Sequence, residues 1–398
     1  MWALFYFFMD ISILSKELPY LLSLKDKNIQ ALALDKNFTK HRHKDWLLLQ
    51  LQARQKAKNK LPTWCSNWAI IFPTLVSVEQ ASSEKTAAYK ADLVSGNVLD
   101  GSGGMGVDSY YFAKRCVKVD CLEVDFFLTQ IVDYNKDVFQ LSNLTVHTTS
   151  LEGFLESNTK VYDWIYVDPS RRESDNKRIV DLEACSPNVV ELLPMLKRST
   201  QKVLVKVAPL LDISLAIKQL QYVSCVYVVQ WKQEVRELLF VLDFSVEKVS
   251  NVPIRCVSME GQAILLHTSS GGTIVYDGVK NYLYIPAPAL MKSQDFGGIG
   301  QYYGVDKIAP HTHLYTSKEW VSDFFGIGLK VLHVSNWKGI RDILVQNKIE
   351  KVNIIIKNAP LLNVDVCKKL RIKEGGELFL IVYKNNANGI EVVVGEKG

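Results

Sequence analysis

Between residues 97 and 243 short apolar runs alternate with amphipathic stretches: NVLD, KVDCLEV, LTVHT, DWIYVD, KVLVKV, CVYVVQW and ELLFVLDF. That alternation predicts a parallel α/β sheet, because each parallel neighbour needs a helical crossover to bring the chain back. The last two runs break the rule. Only a few polar residues separate them, too few for a crossover, so they must pair as an antiparallel hairpin. The expectation is a mostly parallel sheet whose last strand is antiparallel.

At 398 residues the chain is too long for one ordinary core. Residues 11–60 carry apolar side chains at helical spacing in LPYLLSL, IQALAL and DWLLLQLQARQKAK, and Leu61-Pro62 and Phe72-Pro73 punctuate the chain after them. SVEQASSEKTAAYKADL (77–93) reads as one helix with a serine-rich start. Beyond residue 246, GQAILLHTSSGGTIVYDG has hairpin turn chemistry, and YLYIPAPALMKSQDFGGIGQYYG reads as strand then helix. The segment from LKVLHVSNW to LFLIVYK reads β-α-β-α-β. Four regions are expected: an N-terminal helical region at 1–78, the α/β sheet domain at 79–246, and small α/β domains at 247–322 and 323–398.

The seven cysteines (65, 116, 121, 185, 225, 256 and 367) are scattered, without a C-x-x-C pair or zinc-finger spacing. A reduced, cytoplasmic protein without a metal is expected. The opening MWALFYFFMD lacks a basic flank and is too short to span a bilayer, so it reads as a buried helix or a mis-called start, with no membrane role. The net charge of +5 is unevenly spread. Ten basic residues (Lys25, Lys27, Lys36, Lys40, Arg42, Lys44, Arg54, Lys56, Lys58, Lys60) face three acids between 25 and 60, either a solvated helical face or a phosphate-binding one.

Residues 98–108 read VLDGSGGMGVD, in which Gly101, Gly103 and Gly106 fit a dinucleotide fingerprint. Three neighbours narrow the ligand. Asp100, at the strand tip, would repel a pyrophosphate but suits the ammonium of S-adenosylmethionine, directly or through water. Glu123 ends the next strand 23 residues on, which fits a bidentate contact to a ribose diol of either ligand. The terminal hairpin suits a methyltransferase sheet better than a dinucleotide sheet.

On Asp100 to Gly106, Glu123 and Asp168-Pro169 the chain resembles the class I S-adenosylmethionine-dependent methyltransferases over roughly 80–245. EQASSEKTAAYKA, LDGSGGMGVDSYYF, YVDPSRR, KVAPLLDI and EVRELLF look more narrowly like one uncharacterised bacterial family of predicted methyltransferases with a ferredoxin-like insert and a C-terminal THUMP-like domain. THLYTS (312–317), KNAP (357–360) and LRIKEGGELFL (370–380) extend the likeness over most of the chain. Members of that family more often carry Thr at Ser102 and Phe at Met105. The resemblance implies a Rossmann-like class I sheet with S-adenosylmethionine held by Asp100, Gly101, Ser102, Gly103, Gly104, Gly106 and Glu123. Ser82, Ser83 and Thr86 precede the first strand, where such enzymes contact the methionine end, although the same residues read equally well as a helix cap. Ser150 and Glu152 follow the third strand, where a carboxylate usually meets the adenine amine.

In a class I sheet the fourth strand ends beside the transferred methyl, so Asp168, Pro169, Ser170 and Arg171 would face the acceptor. Proline there fixes a rigid φ. Enzymes that methylate nucleobase amines resemble D/N-P-P-Y/F, and here Ser170 and Arg171 replace the second proline and the aromatic. Enzymes that methylate pyrimidine C5 need a cysteine after the proline or at the end of the fifth strand. The chain has Ser170 at the first place and KVAP (206–209) at the second, which excludes covalent C5 chemistry. Arg171, Arg172, Lys177 and Arg178 suit a nucleic-acid acceptor, unless Glu173, Asp175 and Asp181 simply neutralise a solvated loop. Lys206, inside an apolar strand, is a candidate partner for a site carboxylate, and Glu234, Arg236 and Glu237 read as a salt-bridged turn.

THUMP domains bind structured RNA, so the resemblance implies an RNA substrate, tRNA or rRNA. The last 76 residues hold twelve Lys/Arg against eight acids and net +4. Trp320, Trp337, Tyr302, Tyr303 and Tyr315 read as stacking residues or as core. His311 and His313 have no acid or cysteine nearby in sequence, so no metal is expected. The reading is an RNA base methyltransferase acting by direct, non-covalent transfer. Its rivals are a non-catalytic RNA-binding protein on the same scaffold and a nucleotide-dependent oxidoreductase.

Overall fold

The computed structural model describes residues 11–171, 182–246, 251–267 and 274–398. The opening MWALFYFFMD, residues Arg172, Glu173, Asp175, Lys177, Arg178 and Asp181, and the Arg171 side chain lie outside the described residues. The chain divides into two compact units, 1–224 with 239–248, and 225–238 with 249–398.

The sheet of the first unit contains β1 (Asn97–Asp100), β2 (Lys118–Glu123), β3 (Leu144–Thr148) and β4 (Tyr162–Val167). A short ribbon comes next, β5 (Ser170–Arg171) with β6 (Cys185–Ser186), then β7 (Thr200–Val207). β8 (Val223–Trp231) and β9 (Glu234–Asp243) form the expected hairpin across a two-residue turn, and the division between units falls inside it. β1, β2, β3, β4 and β7 are parallel neighbours in the order β9-β7-β4-β1-β2-β3. The strand runs read from the sequence match these bounds within two or three residues.

Local chemistry explains how each crossover helix starts. Asp125, Ser150, Asn188 and Asp212 cap the helices Phe126–Val138, Leu151–Ser157, Val189–Ser199 and Ile213–Leu220 through their side-chain oxygens. The helix after β1, Val107–Ala113, is different. It begins at Gly106 in the left-handed region (φ 85°) with no side-chain cap.

The N-terminal helices Ile11–Lys16, Leu18–Ser23 and Lys44–Ala57 bury Leu14, Leu21, Trp46 and Leu47 in one cluster that includes Ile131 of a crossover helix. Two side-chain amides then hold the chain at Ile71 and Phe72. Gln50 exchanges two hydrogen bonds with the Phe72 backbone (3.0 and 2.7 Å) and Asn135 two with Ile71 (2.8 Å each). Arg54, counted in the basic stretch, belongs to this core. It is buried, donates to Gln50 Oε1 and to the Ile70 carbonyl (3.0 and 2.7 Å), and lies over Trp68 and Phe72. Burial pushes its pKa down to about 10. The single helix expected at 77–93 is two, Leu75–Gln80 and Glu84–Leu93, because Ser83 caps the second from outside it.

In the second unit β10 (Pro253–Ser258) runs parallel to β8, and β11 (Ala263–His267) runs antiparallel to β10. The turn of the hairpin expected within 261–278 lies outside the described residues, and its first strand is β11. That strand turns back onto β10, through a turn in which Gly261 takes φ 108° and the Ser258 amide donates to the Gln262 carbonyl (2.7 Å). The rest of the unit is a seven-stranded sheet: β12 (Tyr282–Pro286), β13 (Asp306–Ala309), β14 (Thr312–Ser317), β15 (Gly326–Asn336), β16 (Lys351–Lys357), β17 (Lys373–Lys384) and β18 (Ile390–Lys397). Their order is β13-β14-β12-β15-β18-β17-β16. The boundary expected at 322/323 falls inside this sheet, since β12 pairs with β15 from Tyr282↔Lys330 to Pro286↔Gly326. The β-α-β-α-β reading also gains a strand, because β18 inserts between β15 and β17, antiparallel to both.

Asn135→Ala should strand the buried N–H and C=O of Ile71 and destabilise the first unit by about 2–4 kcal/mol. The check is a fall in the urea midpoint with an unchanged circular-dichroism spectrum.

Candidate active site

The strands set the geometry. In register, Asp100 at the end of β1 lies opposite Cys121 of β2 and Tyr166 of β4, so the strand ends form one carboxyl edge. Glu123, Asp168 and Lys206 stand at or beside the same edge. In open α/β sheets this edge, where the strand order reverses, is where ligands are held.

The glycine loop is fixed by its own backbone. Gly101 N–H donates to the Tyr166 carbonyl and Gly103 N–H to the Leu122 carbonyl, 2.8 Å each. A Cβ on Gly103 would lie 2.4 Å from Cys121 Sγ and 3.0 Å from the Leu122 carbonyl, so only glycine lets the loop approach β2 this closely. Gly104 is left-handed (φ 53°) and faces open space. Its N–H donates to Glu123 Oε2 (2.8 Å), while Glu123 Oε1 accepts from Asp125 N–H (2.9 Å). Glu123 thus sits at the loop with both oxygens oriented.

Asp100 is fully buried and accepts from Ser102 N–H (3.0 Å) and Ser109 Oγ (2.5 Å). Burial pushes its carboxyl up to about 7; the Ser109 and Ser102 hydrogen bonds act against that, and the charges of Asp108 and Asp168 add to it. Ser102 also reaches sideways, its Oγ accepting the Asp168 N–H (2.7 Å). One side chain therefore ties the β1 loop to the tip of β4.

Beside this lies a buried charge pair that no motif announced. Lys90, with no exposed surface, holds Asp108 Oδ1 (2.9 Å) and donates to Ser82 Oγ (2.6 Å). Ser82 Oγ and Tyr166 OH both donate to Asp108 Oδ2 (2.8 and 2.9 Å). Burial alone would raise the Asp108 carboxyl, but Lys90 and Lys206 hold it below its ordinary value. Lys206 itself ion-pairs with Asp168 Oδ2.

These groups border a cleft of about 470 Å³, lined by Gly101 to Met105, Glu123, Ser150, Glu152, Asp168, Ser170, Lys206 and Ser82, among others. Asp100 lies beneath Ser102, and Gly106 starts the helix behind the loop. Pro169 is buried, Ser170 is exposed, and the Arg171 backbone pairs with Cys185 across the β5–β6 ribbon. Thr86 is a correction, since it does not line the cleft. Its amide and hydroxyl close the helix cap with Ser83 (3.2 and 3.1 Å), which is the capping alternative for this segment. Ser150 does both jobs, capping Leu151–Ser157 while lining the cleft. Ser186 and Pro187, which no sequence signal marked, also line it. Arg236 pairs with Glu234 (3.0 Å) in the β8–β9 hairpin, as the salt-bridged turn expected.

Residues 282–324 match a ferredoxin-like domain family and residues 326–397 a THUMP domain-like family. The fold is similar to the crystal structure of a "putative methyltransferase" from Porphyromonas gingivalis W83, with a TM-score of 0.87 at 21% identity, covering 98% of this chain and 99% of that one. Parts of the fold are similar to an rRNA methylase from Streptococcus thermophilus (TM-score 0.30, 11% identity, 40% of this chain and 93% of that one). TrmK of M. capricolum, solved with S-adenosyl-homocysteine, is comparable (TM-score 0.34, 10% identity, 42% and 70%). No curated protein matches the sequence. The architecture is that of a class I methyltransferase sheet with a helical N-terminal region and a C-terminal sheet that carries the ferredoxin-like and THUMP-like segments.

Asp100 predicts a pH effect. Its folded-state value, about 7, lies above the unfolded-chain value near 4, so the native state holds the extra proton in that window and loses stability as pH rises through it. Asp100→Asn removes this titration. Its stability in thermal unfolding should gain on wild type between about pH 4 and about pH 7, by up to about 1.4 kcal/mol per pH unit crossed. A constant difference across that range would contradict the assignment.

Proposed function

We propose that the chain is an S-adenosylmethionine-dependent methyltransferase that modifies a base in structured RNA, tRNA or rRNA, by direct non-covalent transfer. One observation carries the reading: Asp100, the glycine loop, Glu123 and Asp168 converge on a single cleft at the carboxyl edge of one parallel sheet. The residues fit the cofactor. The Asp100 carboxyl, ionised above about pH 7, offers negative charge for an amino acid end, and Glu123, whose oxygens each accept one amide, keeps lone pairs for a ribose diol. Ser150 and Glu152 offer polar contacts for the adenine. Bound there, the cofactor supplies an electrophilic methyl group.

The protein's own part is positioning and charge. Asp168 accepts a hydrogen bond from the acceptor and orients its lone pair, while Lys206 holds that carboxylate in place at the strand tip. Ser102 fixes the Asp168 backbone relative to the loop, so donor and acceptor sites share one support. Ser170 and Arg171 continue the acceptor side. No cysteine stands at position 170 or in residues 206–209, in keeping with transfer that forms no covalent enzyme adduct. The RNA acceptor rests on the THUMP domain-like match at 326–397 and on the +4 balance of the last 76 residues.

Labelled methyl from S-adenosylmethionine should enter total RNA from cells lacking this gene when wild type is added, and should fall at least about a hundredfold with Asp168→Ala. Glu123→Gln should instead weaken S-adenosylhomocysteine binding by about tenfold, read by calorimetry. Tight cofactor binding without label in any RNA would move the acceptor away from RNA or leave a binding protein. Binding of NAD in place of S-adenosylhomocysteine would overturn the class.

A further inference from the structure

Two sequence stretches that the cleft does not use, THLYTS and KNAP, meet in the second unit. Asn358 Nδ2 reaches Thr312 Oγ1 (3.5 Å), and Thr312 Oγ1 in turn donates to the Lys384 carbonyl (2.6 Å). This contact brings the start of β14 beside the end of β16. Asn358 holds a left-handed backbone (φ 53°), a conformation that asparagine tolerates better than most residues.

Basic groups collect there. Lys307 is 2% exposed, its ammonium bonded to the Pro310 carbonyl and lying 5.4 Å from the Phe296 ring centre and 5.8 Å from that of Tyr276. His313 stacks on the same Phe296 ring, with centroids 3.8 Å apart, and its Nδ1 is buried with no hydrogen-bond partner among the described residues. Lys357 is half-buried beside them, and His311 and Asn358 are exposed at the rim. Among the described residues no carboxylate pairs with Lys307, His313 or Lys357, whereas nearby Lys280 has both Asp277 and Asp306. Like charges gathered away from water without a counter-charge are costly, and an anion reverses the sign of that cost.

We propose that Lys307, His313 and Lys357, with Asn358 and His311 at the rim, form a binding site for one phosphate group. Lys307 provides buried positive charge, the Phe296 ring fixes the His313 imidazole, and Lys357 with the Asn358 amide supplies donors from the exposed side. The site is independent of the methyl-transfer reading and shares no residue with the cleft. Burial lowers Lys307 to about 8 and also lowers Lys357; burial, with the charges of Lys307, Lys357 and His311, holds His313 down to about 4. A bound phosphate must raise all three, so binding near neutral pH takes up protons.

The experiment follows the His313 imidazole by NMR across a pH titration of the full chain, with and without inorganic phosphate. Phosphate should raise the His313 value by at least about one pH unit. Lys307→Met, which keeps an apolar stem among the rings, and Lys357→Gln should each weaken phosphate binding about tenfold while leaving the remaining spectrum in place. A His313 titration that phosphate does not move in the wild-type protein overturns the site, whether or not either variant folds. A short single-stranded RNA separates the two sources of the group. The same shift at lower phosphate content, competed by inorganic phosphate, assigns the site to an RNA backbone. A shift with inorganic phosphate alone assigns it to a free phosphate.

Discussion

The Lys90–Asp108 pair is the contact on which the geometry of the cleft depends. A lysine with no exposed surface is costly to bury, and the cost is offset only if every proton finds a partner. Asp108, Ser82 and the face of Tyr166 provide those partners. Each comes from a different element: the helix behind the glycine loop, the break between two N-terminal helices, and β4. The pair therefore fixes three pieces of chain at once. It brings Ser82 to the wall of the cleft and sets the helix Val107–Ala113 against β4. Removing either partner would leave the other charge buried alone, which costs more than the intact pair contributes.

Much of the first unit was legible because its signals are local. Strand runs, the serine-rich helix start and the hairpin at the end of the sheet each depend on a few adjacent positions. The glycine loop was legible for the same reason, and its spacing to Glu123 follows from one strand-helix-strand unit. The Lys90 network was not legible, since its members lie far apart in sequence and meet only through packing. Lys206 stood out as a charge inside an apolar strand, but its partner emerged only with the register of β4 against β7. Thr86 shows the opposite failure. A hydroxyl in the expected stretch is spent on its own helix terminus, and Ser82, four residues earlier, reaches the cleft instead.

The second unit was read less well for a physical reason. Its strands pair across long separations, so turn chemistry can name a hairpin without saying which strand is the partner. Ala263–His267 pairs with β10 across the turn at Gly261, a partner that its own turn chemistry did not name. Sequence texture set a boundary at 322/323, near the junction of the two family matches at 324 and 326, and hydrogen bonding continues across it through β12 and β15. The basic stretch at 25–60 carries a similar lesson, because Arg54 spends its charge on backbone carbonyls in the core.

Charge is handled differently in the two units, and the difference bears on what each can hold. In the first, Lys90 pairs with Asp108 and Lys206 with Asp168, so Asp100, once ionised above about pH 7, and Glu123 leave the strand edge net negative. Such an edge favours a ligand that brings positive charge, as the ammonium and sulfonium of the proposed cofactor do. In the second, Lys307, His313 and Lys357 stand together with no acid paired to them among the described residues. That arrangement favours a ligand bringing negative charge, and a phosphate is the compact group that matches it. The proposed cofactor and a phosphate thus call for sites of opposite electrostatic sign, and neither site follows from the net charge of the chain.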